Sequence, residues 1–301
     1  MKILSLLLAA APLVSFGTAK DTRYMFTFFG LLTTAPPSGD SYTKTEFNIN
    51  GAKPNADNVI GNPSFPGSTT SGGHNWLGWL ITQFNKKNTV TYAYNFADGG
   101  AVVDSSIITP FRSDVRTFTD QILSFKKHLA SKPSWAPWNA DNSLVGVWLG
   151  INDIGRSYTL ENNTAVIRES VDMYFEHLEY LYSAGIRNFF LLSVPPTDKT
   201  PKLMGLKNKP TNQIRWYNNH LAEHLTKFKA AHKDIDAVLI DTHKPFNKAI
   251  DAPEKYGAPD AKCYKSDGKS CLWYNNYHPG IAIHKLVAAD VGVALGANHL
   301  W

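Results

Sequence analysis

Two kinds of apolar pattern alternate along the chain. Short dense runs rich in β-branched and aromatic residues predict strands at 24–29 (YMFTFF), 89–97 (TVTYAYNFA), 143–149 (SLVGVWL), 188–194 (NFFLLSV) and 237–241 (AVLID). Longer stretches with apolar residues every three or four positions predict helices. One covers 75–85, with Trp76, Leu77, Leu80, Ile81 and Phe84 on one face, and another covers 115–130 through Val115, Phe118, Ile122, Phe125 and Leu129. A long one spans 164–184 through Ile167, Val171, Tyr174, Leu178 and Leu181 and is stopped by Gly185. Two more are expected at 211–232 and 279–295, with Pro279 suited to the first turn of the last. Five strands alternating with helices argue for one α/β domain, a parallel sheet covered on both faces through right-handed crossovers. The one long irregular stretch, 48–73, is rich in Asn, Pro, Gly and Ser, and a loop of that length in a compact domain is more often functional than decorative.

The first nineteen residues read as a signal peptide rather than as part of the fold. Lys2 supplies the positive charge, residues 3–16 the apolar run, and Gly17-Thr18-Ala19 the small residues for cleavage before Lys20. The expectation is a secreted, extracellular chain of residues 20–301 with no membrane span, the alternative being an uncleaved anchor. At 43% hydrophobic and 18% charged, the chain is not disordered. A net charge of +5 with no basic run longer than two residues argues against nucleic-acid binding. Cys263 and Cys271, eight positions apart, suit a disulfide in an oxidising compartment. Asn162-Asn163-Thr164 is a glycosylation sequon at Asn162.

In open α/β sheets, ligands gather beyond the carboxyl ends of the strands. Gly39-Asp40-Ser41-Tyr42, Asp98-Gly99-Gly100 and Gly150-Ile151-Asn152-Asp153 fall at or beyond the ends of the first three strands, and Asn275-Asn276-Tyr277-His278 precedes the last helix. Ester hydrolysis by a serine needs a hydroxyl, a base and donors for the oxyanion. Ser41 can supply the hydroxyl and His278 the base. The N–H groups of Ser41 and Gly100 and the amide of Asn152 can serve as donors, and a glycine admits close approach.

These four blocks, in this order, resemble those of the SGNH (GDSL-type) hydrolases. The phrase SGDSYTKTEFN and the Asn/Pro/Gly-rich stretch after it are similar to secreted fungal acetylesterases of carbohydrate esterase family 16. The resemblance implies a flavodoxin-like three-layer α/β/α sandwich and a serine mechanism without cofactor or metal. It also implies removal of acetyl groups from carbohydrates such as xylo-oligosaccharides. Ser41 would be the nucleophile, His278 the general base, and Gly100 and Asn152 oxyanion donors; Asp40 would fix the turn. Acetylated carbohydrate is then the expected partner of a monomer.

The chain departs from that family's pattern in two places. Asn275 stands where an aspartate three residues before the histidine is usual, and residues 29–38 (FGLLTTAPPS) intervene between the first strand and GDSY. Asn275 can still orient the ring if its carbonyl oxygen accepts the ring N–H, and Asn275→Asp should raise kcat. Two rival readings are a GDSL lipase or phospholipase and a weakly active or inactive carbohydrate-binding relative. The segment His220-Leu221-Ala222-Glu223-His224 matches an inverted zinc-peptidase pattern, but a solvated polar helix face accounts for it and no metal is expected. For stacking on sugar rings, Trp273 is the leading aromatic, followed by Trp135 and Trp138, while Trp76 and Trp79 suit the core. His74 could line the cleft, and Asp241-Thr242-His243 reads as a strand-end turn.

Overall fold

A computed structural model describes residues 21–31, 42–85 and 88–300, with side chains as far as Phe28 in the first segment. The expected signal peptide, Asp40 and Ser41 lie outside the described residues. Strands β1 (Asp21–Leu31), β2 (Thr89–Asn95), β3 (Asp98–Gly99), β4 (Ser143–Trp148), β5 (Asn188–Leu192) and β6 (Asp236–Ile240) form one sheet. Its order is β2-β1-β4-β5-β6 and every pairing is parallel; β3 is a two-residue addition to the end of β1.

Among the described residues, seven α-helices cover this sheet: α1 (Trp76–Gln83), α2 (Phe118–His128), α3 (Ile151–Ser157), α4 (Asn163–Ser183), α5 (Thr211–Ala231), α6 (His243–Ile250) and α7 (Ile281–Ala297). Adjacent residues of a strand point to opposite faces. In β5, Phe189 packs on Phe228 of α5 and its neighbour Phe190 packs on Trp76 of α1. Helix α1 packs with α7, and α4 with α5, so each face has its own helical layer. The three-layer α/β/α architecture is therefore present. All six residues of β4 are buried, as its unbroken apolar run requires of a strand covered on both sides.

Several boundaries differ from expectation. Helix α2 begins at Phe118, not Val115, because Thr117 and Asp120 form a reciprocal capping box. Pro279 is not in the first turn of α7. Gly280 is the N-cap, and Pro279 instead bridges to Trp273. The leading amides of this helix are taken by the preceding loop, Gly280 N–H donating to Leu272 O at 2.7 Å and Ile281 N–H to Gly268 O at 2.9 Å. The expected strand over 89–97 stops at Asn95, and Asp98–Gly99 then joins β1, which outruns β2. Residues 29–31 of the expected insertion continue β1, with Phe29 opposite Trp148 and Gly30 opposite Asp98.

Two short helices, α3 and α6, escaped the sequence reading because Gly-Ile-Asn-Asp and Asp-Thr-His look like turns. The long loop 48–73 has a structural task. Its Val59 O accepts the Ala93 N–H at 2.8 Å, covering the otherwise open edge of β2. Asn62 ties its two ends together, donating to Asn48 O and Ala52 O and accepting from Asn48 N–H.

Candidate active site

All strands are parallel, so their carboxyl ends lie on one edge, and the segments leaving them define the site. The chain from Tyr42 to Thr45 is pinned there by a buried polar network. Asn95, at the end of β2, donates to Thr43 O at 2.7 Å and to Thr45 Oγ1 at 2.9 Å, and accepts from Thr27 Oγ1 on β1. Trp76 Nε1 donates to Thr43 Oγ1 at 2.6 Å. Tyr42 donates its hydroxyl to Tyr277 O at 2.7 Å, and its ring lies 5.7 Å from that of His278 and 5.6 Å from Trp148. Burial drives the Tyr42 pKa well above the usual phenol range, so the hydroxyl remains a donor at every working pH.

His278 is 2% exposed. Its Nδ1 lies 2.9 Å from Asn275 Oδ1, which also accepts the backbone N–H of Tyr277 at 2.9 Å and of His278 at 2.8 Å. Two backbone donors identify the atom facing the ring as an oxygen. That oxygen can only accept, so Nδ1 carries the proton and Nε2 is the basic nitrogen. Asn275 thus does the orienting part of an aspartate's task. It carries no charge with which to stabilise an imidazolium.

Gly100 follows β3 with φ +92°, and a Cβ there would sit 2.0 Å from Phe111 Cε1, so no larger residue fits. Asp98 holds this turn, its carboxylate accepting from Gly99 N–H, Arg116 N–H and Arg116 Nε. Asn152, fully buried in the first turn of α3, donates from Nδ2 to Ala101 O at 2.5 Å. Among the described residues, the second hydrogen of that nitrogen has no acceptor. The next residue, Asp153, accepts Val103 N–H at 3.0 Å and Ser170 Oγ at 2.7 Å on the same oxygen. Burial raises the Asp153 pKa against the pull of these bonds. Adjacent side chains of α3 therefore grip both sides of the 101–103 segment that follows Gly100.

The sequence reading missed Tyr42, Asn95 and Asp153. Tyr42 and Asp153 sat inside the quoted motifs, whereas Asn95 carried no signal beyond its place at a strand end. His284 was also missed. It is buried on α7, accepts the Trp76 N–H on Nδ1 at 3.2 Å, and is pushed down to about 3 by burial, with the charge of His278 adding to the effect.

Other candidates fall elsewhere. Trp273 is 0% exposed, with its indole N–H on Ala261 O and its ring against Phe246, so it has no open face for a sugar and the platform reading is corrected. Trp138 is likewise buried, bonded to Leu129 O, whereas Trp135 is 39% exposed beneath Lys53. His74 is half-buried between Phe65 and Trp79. His220 turns to Trp216 and Glu223, and His224 to Phe175 and Asp172, so the pair does not converge. Cys263 and Cys271 form the expected disulfide, with Cα atoms 5.1 Å apart. Asn162 is exposed at the start of α4.

Comparison with known proteins gives a consistent result. The GDSL-like Lipase/Acylhydrolase family matches residues 38–291. An acetylesterase of Thermothelomyces thermophilus is 47% identical over 280 residues, covering 91% of this chain and 88% of its own. Among solved structures, Axe2, an acetylxylan esterase from Geobacillus stearothermophilus, superposes with a TM-score of 0.51 at 15% identity over 93% of this chain and 97% of that one. LAE5, described as an alpha/beta hydrolase enzyme from the metagenome of Lake Arreo, Spain, gives 0.52 at 13% identity over 93% and 98%. These two likenesses show the fold.

Proposed function

The chain belongs to the GDSL-like lipase/acylhydrolase family and is a carboxylic ester hydrolase, and from that premise we propose that it is a secreted acetylesterase acting on acetylated carbohydrates through Ser41 and His278. The observation that carries the reading is the packing of Tyr42, covalently next to Ser41, against the ring of His278. Tyr42 directly follows Ser41 in the sequence, and its contact with the base supports assigning the two motifs to one reaction.

In the proposed reaction Ser41 Oγ attacks the acetyl carbonyl while His278 Nε2 takes its proton. The oxyanion is met by N–H groups of Ser41 and Gly100 and by Asn152 Nδ2. Collapse breaks the bond to the sugar oxygen, which leaves as a hydroxyl by taking the proton from His278, and an acetyl-serine remains. Water then attacks that ester with His278 again as base, releasing acetate. Asn275 keeps the ring in the required tautomer throughout, which favours a working enzyme over an inactive binding relative. No step calls for a metal or cofactor.

The same reading takes residues 1–19 as a leader removed before Lys20, residues 20–301 as the mature hydrolase domain working as a monomer, and Asn162 as a glycan site. His74 would meet substrate at the rim, since its neighbour Gly73 borders Ile281 at the start of α7. The 47%-identical relative bears the name acetylesterase, which supports a short acyl group over the long chains of a lipase. Acetate release from acetylated xylo-oligosaccharides, abolished by Ser41→Ala, tests the proposal. A nitrophenyl ester series faster on long acyl chains than on acetate would replace it with the lipase reading.

A further inference from the structure

The same sheet edge carries a second concave feature on the β5–β6 side. A groove of about 370 Å³ lies between the turn after β5 and the starts of α5 and α6, and it runs into another of about 500 Å³. The two share Asp198, Lys199 and Thr211. Lys199 and Arg215 line the first and Lys209 and Lys262 the second, and among the described residues Asp198 is the one carboxylate on either wall. Asp198 turns an oxygen to the Thr211 hydroxyl at 2.7 Å.

The charge of these four cations is not neutralised from within. Lys199 Nζ bonds the neutral amide of Asn247 at 2.8 Å, and Arg215 bonds that of Asn212 at 3.1 Å. Among the described residues none of the four makes an ion pair, although acid–base pairs occur widely elsewhere on the surface. Like charges gathered in a concavity repel one another and raise the local concentration of anions.

The groove is tied to the loop that carries His278. Lys202, three residues after Lys199 on the wall, places its ammonium 5.2 Å over the ring of Tyr277. Lys202 N–H donates to Asn276 O at 2.8 Å. A sugar chain presenting an acetyl group beside His278 would therefore have its next residues or branches close to these cations.

We infer that this groove binds a carboxylate on the sugar chain, and that the preferred substrate is an acetylated oligosaccharide bearing a uronic-acid branch. The inference deepens the acetylesterase reading and rests on it for the identity of the ligand as a sugar chain. Several partly exposed cations acting together should favour the acidic ligand by about fivefold.

The test is calorimetric binding of two unacetylated xylo-oligosaccharides of equal length, one neutral and one carrying a single glucuronic-acid branch. Wild-type protein should bind the acidic one about fivefold more tightly at about 50 mM salt and lose most of that preference at about 500 mM. The double variant Lys209→Gln/Lys262→Gln should bind the two alike, and Lys209→Arg/Lys262→Arg should keep the preference. Lys127→Gln/Lys233→Gln, which removes equal charge from exposed helical and loop positions outside the groove, should also keep it. Equal affinity of the wild type for the two ligands overturns the inference, as does an undiminished preference in the glutamine variant. Free glucuronate binding as tightly as the branched chain would reveal a small-anion site and also overturn it. Neither ligand is a substrate, so acidic preference without turnover of any acetyl ester would refute the proposed reaction and leave the groove standing.

Discussion

Asn275 turns one oxygen toward three N–H groups, two of them from the backbone and the third from the ring of His278. In the serine-protease template, an Asp→Asn change costs about 10⁴ in kcat because the ring falls into the wrong tautomer. Here the backbone donors hold the amide so that the tautomer is right, and the missing charge is the remaining deficit. Asn275→Asp should therefore raise kcat by about tenfold rather than by the full factor. A carboxylate also favours the protonated ring, so the acidic limb of the pH–rate profile should move to higher pH. Steady-state kinetics across pH would show both effects, and an unchanged kcat would mean that position 275 does not limit the base. Tyr42→Phe removes the donor to Tyr277 O and leaves a buried carbonyl without it, which should cost about 1–2 kcal/mol in denaturant unfolding. At this scale Gly100, Asn152, Asn275 and His278 stood out in the sequence as candidates because each is a polar or special residue in a short motif near a predicted element. Trp273 was not, because nothing local distinguishes an indole that stacks on a ligand from one that fills a core.

The elements carry the strut behind the proposed oxyanion donors. Helix α3 places Asn152 and Asp153 in its first turn, one on Ala101 O and the other on Val103 N–H. Asp153→Ala should strand that buried N–H, lowering stability by about 1–3 kcal/mol and kcat by about tenfold with KM little altered. Asp153→Asn retains an acceptor and should restore most of the kcat, an outcome that separates positioning of Gly100 from loss of fold. Helix α2 supplies a simpler test. Thr117→Ala breaks its capping box and should lower unfolding stability by about 1 kcal/mol without affecting ester turnover. Five strands and five helices were visible as apolar pattern, α1 among them because its eight residues are almost all apolar, whereas α3 and α6 were not. Each has eight or fewer residues, so apolar spacing has little room to repeat, and both begin on residues typical of turns.

For the whole molecule, buried histidines set the response to acid. His284 is held down to about 3 by burial and by the charge of His278, and His177 to about 4 by burial, partly opposed by Asp104. Unfolded, both protonate near the ordinary value of about 6.5. Between the folded and unfolded values the unfolded state binds more protons. Stability is therefore full above about pH 6.5 and falls as the pH drops toward 3. His284→Asn keeps an acceptor for the Trp76 N–H but does not titrate, so denaturant midpoints measured from pH 7 to 4 should fall less steeply in this variant than in wild type.

Sequence alone determined the order of the main strands and long helices and the parallel sheet, and it marked the four polar motifs, because periodicity and short-range residue type express those directly. Only the tertiary structure decided the strand order β2-β1-β4-β5-β6, which aromatic rings are buried, that the amide of Asn275 faces its histidine, and that four cations line adjoining grooves with no ion pair among the described residues. Those properties depend on residues far apart in the chain meeting at one edge of the sheet, and no local pattern records such a meeting.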